Sequence, residues 1–242
     1  MQTVGSRNEP ARSLMPAACL VAAIIFGGCG APPGSSTSSS SASGATPSPS
    51  PADHAFLPGG ALEAGTYPID GLDGPPLDIK VTVPDGWEAL AGFAVLKSDV
   101  SLGFWIVENI YVNPCRESLG LLDPPPGPTV HDLATALAAQ PLRNGTDPAP
   151  IEIDGYAGEM VTLQVPVDAD LTACDDEEYG SWSSEEHGAR GHQTPGEFNR
   201  IMIVGVDGVR LVIDASTFPD SSEEDVAELE SVIDSIQLAP GA

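Results

Sequence analysis

Three features predict an α+β domain, an antiparallel sheet covered by helices, for the greater part of this chain. The first is a pair of β-rich apolar runs, Arg200 to Ser216, flanking Asp207-Gly208. The second is an amphipathic helix directly after it, in FPDSSEEDVAELESVIDSIQL. The third is the order of elements: runs of strands, one helix, more strands and a final helix, without the strict alternation of a parallel βαβ fold.

The chain begins with a leader and a tether. Arg7 and Arg12 precede the almost uncharged run LMPAACLVAAIIF, a positive n-region and an apolar h-region too short to span a bilayer, which takes about 20 apolar residues. Phe26-Gly27-Gly28-Cys29 follows and resembles the lipobox of bacterial lipoproteins, in which small residues precede a cysteine that carries diacylglycerol and becomes the mature N-terminus. Leu is usual where Phe26 stands. An ordinary signal peptide or an uncleaved anchor is the competing reading. Gly34 to Ser50 reads GSSTSSSSASGATPSPS and has no large apolar side chain to offset the entropy of ordering. The expected organisation is a signal peptide over 1–28, a lipidated Cys29 and disordered tether over 29–54, and one extracytoplasmic domain over 55–242.

Within the domain, LDIKVTVPDGW (77–87), GFAVLK (92–97), GFWIVENIYV (103–112) and EMVTLQVP (159–166) read as strands separated by turn residues. TVHDLATALAAQP predicts a helix, with Thr129 as its cap and Pro141 beyond its end. Asp207-Gly208 suits the two-residue type I′ turn of a hairpin, and the apolar arms predict a central place in the sheet. Pro219 ends the last of these strands, and Ser221 or Ser222 caps a helix whose first turn holds Glu223, Glu224 and Asp225. PPPGP before the first helix and DDEEYGSWSSEEHGARGHQTPG are read as loops. Trp87 and Trp105 are read as core.

This series resembles the sandwich of the PsbP-like superfamily: a tether, a strand ending in PDGW, a mid-chain helix, a DGYAG turn, a hairpin, and a final helix ending in Ser235-Ile236. The spacing of Cys115, Gly155-Tyr156, Cys174, Trp182, Pro195-Gly196 and Asp214 is similar to that of exported lipoproteins of actinobacteria. The resemblance implies a fold and an address, and carries no catalytic residue across.

Charge narrows the partners. The formal net charge is −26, from 9 Lys and Arg against 35 Asp and Glu, which disfavours nucleic acid and anionic lipid surfaces. Cys115 and Cys174 stand in an exported segment and are expected to pair as a disulfide. The alternative joins them to His187 and His192 as a zinc site.

No G-x-S-x-G, H-E-x-x-H, P-loop or S-x-x-K pattern occurs, and a triad from distant residues, for example a serine with His131 and an aspartate, is the open enzymatic route. Val167 to His187 gathers Asp168, Asp170, Asp175, Asp176, Glu177, Glu178, Glu185 and Glu186. It opens like a calcium loop but has Ala173 and Tyr179 where Gly and Glu are needed. Asp175, Asp176, Glu177, Glu178, Tyr179 and Trp182 are the candidate binding surface for a basic envelope protein or small ligand; the competing readings are a solvated acidic loop, and Tyr179 and Trp182 pinning that loop near the Cys174 bridge. No metal, cofactor or catalytic residue is assigned. The functional expectation is a membrane-anchored, non-catalytic binding or scaffold lipoprotein of the cell envelope, held to the bilayer by its acylated N-terminus. The alternative is a small exported hydrolase.

Overall fold

The computed structural model describes residues 51–72, 76–184 and 187–241; the leader, Cys29 and the tether as far as residue 50 lie outside the described residues. The first elements are β1 (Ala52–Asp53), β2 (Gly60–Ala61), β3 (Gly65–Ile69), β4 (Leu77–Val83), β5 (Glu88–Leu90), β6 (Ala94–Lys97), β7 (Val100–Ile106) and β8 (Asn109–Ile110). Helix α1 (Val130–Ala138) precedes β9 (Ala149–Ile153) and β10 (Tyr156–Gln164). Then come β11 (Tyr179–Ser184), β12 (Gly188–His192), β13 (Phe198–Val206), β14 (Val209–Thr217), α2 (Glu223–Asp234) and β15 (Gln237–Pro240). Among the described residues the fold is dominated by sheet, with two α-helices.

Eight strands form the main sheet in the order β2-β5-β6-β7-β14-β13-β10-β9. At its centre is the expected hairpin. Asp207 and Gly208 have φ values of 47° and 88°, the positive pair that a type I′ turn requires. Side chains alternate across the sheet, so Leu102, Phe104, Met202, Val204, Leu211 and Ile213 face one side, and Trp105, Ile201, Ile203 and Val212 the other. Central strands apolar on both faces must be covered on both faces.

Each cover combines a helix with a small sheet. Leu229 and Val232 of α2 join Ile79 and Val81 of the sheet β1-β3-β4-β15 over the first face. Leu133, Ala134 and Leu137 of α1 join Ile110 and Trp182 of the sheet β12-β11-β8 over the second. Both helix starts are built as the sequence indicates. Thr129 and Asp132 form a reciprocal capping box, and Ser222 accepts the Asp225 N–H with three acidic residues in the first turn.

Boundaries differ from the sequence reading in three places. GFWIVENIYV, read as one strand, divides between β7 of the main sheet and β8 of the sheet β12-β11-β8. Ala52 and Asp53 pair in parallel with Gly65 and Thr66, inside the segment assigned to the tether, and His54 stacks on Tyr67 with ring centroids 4.1 Å apart. The acidic "loop" contains the β11–β12 hairpin. YGSWSS and GARGH lack apolar alternation, so their strand conformation comes from packing. A register irregularity between Gly180 and Ser183 lets the consecutive residues Ser181 and Trp182 both be fully buried.

Candidate functional site

The structure divides the residues predicted to form an acidic binding surface. Trp182 is 0% exposed and packs edge-on against Trp105, and Tyr179 is buried with Val165, Leu171 and Cys174. Both aromatics are buried, Trp182 in the core of the α1 face and Tyr179 around Cys174. Asp175 accepts the Ser118 N–H at 2.9 Å and is held below the ordinary carboxylate range by its bonds to Ser118 and by the charge of Arg116. Glu178 accepts from Gln193 at 2.9 Å. Asp176 and Glu177 are exposed, and Glu185 and Glu186 lie outside the described residues.

Cys115 and Cys174 are joined by a disulfide. The set needed for the zinc alternative is therefore not assembled: His187 stacks on Phe93, 3.8 Å between centroids, and bonds through Nε2 to the Gly71 carbonyl at 2.6 Å. Asp170 is spent on Thr172, accepting from its hydroxyl at 2.6 Å. Among the described residues no group of three His, Cys, Asp or Glu side chains could hold a metal ion. His131 is exposed and faces Glu159 at 3.0 Å, with no serine in the contact.

The hairpin instead covers a polar cluster that the sequence reading missed. Asn199 of β13 and Asp214 and Ser216 of β14 stand on the α1 side of the sheet, all buried. Ser181 and His192 come down from β11 and β12, Glu197 from the turn before β13, and Arg143 from the turn after α1. His192 Nε2 is 2.9 Å from Ser181 Oγ, and its Nδ1 is 2.7 Å from Glu197 Oε1. Arg143 donates to Ser181 Oγ and to Asn199 Oδ1 at 2.8 Å. Arg190 donates to Asp214 at 2.6 Å, Ser216 at 2.9 Å and Glu197 at 3.3 Å. Two guanidinium groups thus balance two carboxylates.

Burial, together with the charges of Arg143 and Arg190, holds His192 well below its ordinary pKa. The imidazole is neutral, so Nδ1–H donates to Glu197 and Nε2 accepts the Ser181 hydroxyl. Burial lowers Arg143 to about 10 against the pull of Glu197 and Asp214, and it stays charged at neutral pH. Asp214 and Glu197 outweigh burial at Arg190 and hold it above its ordinary value.

The neutral imidazole has a thermodynamic consequence. An unfolded histidine binds a proton near pH 6.5 and the folded one does not, so stability is retained above that pH and lost as pH falls through and below it. One extra proton in the unfolded state corresponds to about 1.4 kcal/mol per pH unit. His192→Gln, which keeps a partner for Ser181, is expected to flatten the fall between pH 7 and 5 in urea midpoints.

Beside this cluster a groove of about 510 Å³ runs between the main sheet and β12. Its floor exists because residues in register across the sheet are small: Ala94 pairs with Gly103, which pairs with Asp214. A Cβ on Gly103 would stand 2.9 Å from Trp105 Nε1, so only glycine lets the indole edge lie against the strand. Phe93, Trp105 and Phe218 supply apolar walls, and Arg190 and Glu197 reach the polar end. Phe93 meets Trp105 edge-on at 4.8 Å.

These features define a class, a strand-rich sandwich with a roofed lateral groove and a charge-balanced polar cluster at its end. No protein-family model matches the chain and no curated protein matches it. Among solved structures it is similar to LpqN, involved in cell envelope biogenesis of Mycobacterium tuberculosis, at 10% identity over 74% of this chain and 93% of that one, with a TM-score of 0.38. It is also similar to the cyanobacterial PsbP (CyanoP) from Synechocystis sp. PCC 6803, at 15% identity over 70% and 96%, with a TM-score of 0.32.

The cluster left a faint trace in the sequence. Asp214 and Ser216 break the apolar face of LVIDAS where an inward side chain is due, and Asn199 does the same at the start of β13. Arg143, in PLRNG after a helix, reads only as a surface turn.

Proposed function

We propose that the protein is a membrane-anchored extracytoplasmic binding module, held by acylated Cys29, whose groove between β7 and β12 takes a small molecule. The groove carries this reading. Its volume of about 510 Å³ lies within the roughly 300–1,000 Å³ of small-molecule sites, and its apolar walls alternate with the polar side chains of Ser98, Ser101, Arg190, Gln193 and Thr194. The anchor follows from the lipobox-like sequence ahead of the Ser/Pro/Gly-rich tether. Among the described residues no helix is long and apolar enough to cross a membrane.

Cys29→Ser is expected to move the protein from the membrane fraction to the soluble one. Ser101→Phe, at a half-buried position lining the groove, is expected to abolish the small molecules that co-purify with the wild type in native mass spectrometry. Identical co-purifying molecules in both proteins would refute the groove as the site.

One observation favours a hydrolase instead. Ser181, His192 and Glu197 have the hydrogen-bond order of a catalytic triad. Ser181, however, is 0% exposed, and its oxygen accepts from Arg143. A nucleophile needs room for a reacting carbonyl. The binding reading therefore expects no labelling of Ser181 by a fluorophosphonate, and stoichiometric labelling lost in Ser181→Ala would establish the hydrolase.

A further inference from the structure

We propose that the groove's ligand is a short extended peptide, bound as one more strand on the free edge of β12. This rests on the groove being the binding site and names the class of molecule it takes. In the small sheet β12 has β11 on one side and no strand on the other. Gly180 N–H donates to the Pro114 carbonyl at 2.9 Å, and the Ser181 carbonyl accepts Tyr111 N–H at 3.2 Å, so both groups point away from β12. Gly191, opposite Gly180, therefore turns its N–H and C=O to the free side, and Ala189, two residues back, does the same. Both residues line the groove. The Gly191 carbonyl accepts from Arg190 at 2.7 Å, which leaves its N–H and the two groups of Ala189 as the pairing set. A strand edge of this kind is a template for an extended segment.

The layers leave room for that strand. Leu90, Ala94, Gly103 and Asp214 stand in one row across β5, β6, β7 and β14. Arg190 of β12 reaches the Asp214 end of the row, whereas Leu90 at the other end is 54% exposed. The small sheet thus stops while the main sheet beneath it continues, and the groove is the uncovered part. Ala94, Ser101 and Gly103 keep its floor low enough for a backbone, and Leu90, Phe93, Leu96 and Phe218 meet apolar side chains pointing down from it. The polar side chains of Ser98, Ser101, Gln193 and Thr194 in the same lining suit the peptide's remaining N–H and C=O groups. Side chains of a strand alternate, so every second one points to solvent. There the net charge of −26 and the exposed Glu88, in register with Leu96, favour lysine or arginine. Arg190, committed to Asp214 and Glu197, offers no charge to an acidic side chain. With 5 residues in β12, the paired stretch is about four residues long.

The test uses the capped peptide acetyl-Lys-Val-Lys-Val-amide and two isomers, one N-methylated on both valines and one on both lysines, titrated by calorimetry against the wild type. Successive N–H groups of a strand point to opposite edges, so one isomer loses both N–H groups facing β12 and the other keeps them. One isomer is expected to bind at least about tenfold more weakly than the parent peptide and the other within about threefold, the effect of losing the bonds to a strand edge. The Gly191 amide proton resonance is expected to shift downfield with the parent peptide. Equal weakening by both isomers, or a Gly191 amide that does not move, overturns the strand pairing. No binding of the parent peptide overturns the peptide assignment. Equal binding of the analogue with glutamate in place of lysine overturns the charge assignment. The groove reading is decided separately: it stands when Ser101→Phe removes the co-purifying molecules, whatever the peptides do, and peptide binding retained in that variant overturns the groove as the peptide's site.

Discussion

Cys115→Ala combined with Cys174→Ala is expected to lower the stability of the domain by about 4 kcal/mol. The two cysteines are 59 residues apart in sequence. The bridge removes the entropy of that long loop, spanning α1, β9 and β10, from the unfolded chain. The folded geometry around it has other supports. Asp175 N–H donates to the Cys115 carbonyl at 3.1 Å and Gly180 N–H to the Pro114 carbonyl at 2.9 Å. Arg116 reaches the Ala173 carbonyl, and Val165, Leu171 and Tyr179 pack around Cys174. The variant should therefore keep the native far-UV and near-UV spectra while its urea midpoint falls. A loss below about 1 kcal/mol would show that the unfolded chain is already constrained in this region.

How far the sequence could be read follows a physical rule. Elements whose signal is local were legible: the Asp-Gly hairpin from its turn chemistry, α1 from Thr129, α2 from Ser222 and its acidic first turn. Strands β11 and β12 were not, because Gly180, Gly191, Ser181 and Ser183 have little intrinsic strand preference and are extended by what they cover. For the same reason Trp182 was read as an aromatic within a polar loop, pinning it near the Cys174 bridge or facing a partner, although the polar residues beside it face a polar cluster. That cluster joins residues from Arg143 to Ser216, each unremarkable in its own segment. The groove was hidden further, since it is defined by small residues at Ala94 and Gly103 that become adjacent only through strand register. The disulfide was legible from cysteine number together with the export expected from the leader sequence.

The cluster also sets the other large effect: Arg143→Met is expected to cost about 3–5 kcal/mol, the range for breaking a buried charge arrangement by removing one member. The reason is not that the arginine is a favourable thing to bury. Its pKa falls to about 10 because the site disfavours the cation. Its loss is costly for what remains. Glu197 and Asp214 would share Arg190 alone, and Ser181 Oγ and Asn199 Oδ1 would lose their guanidinium donor. Lysine should not rescue it, since one ammonium cannot reproduce a planar fork that bonds Ser181 and Asn199 together. Neutralising the surplus anion should. Glu197→Gln in the Arg143→Met background restores charge balance with Arg190 facing Asp214, so the double variant should be more stable than the sum of the single losses by about 1–3 kcal/mol, the coupling typical of groups in one network. Urea unfolding of the wild type, both single variants and the double variant measures that coupling. Strictly additive losses would show that Arg143 acts through packing alone and that charge balance does not hold the cluster together.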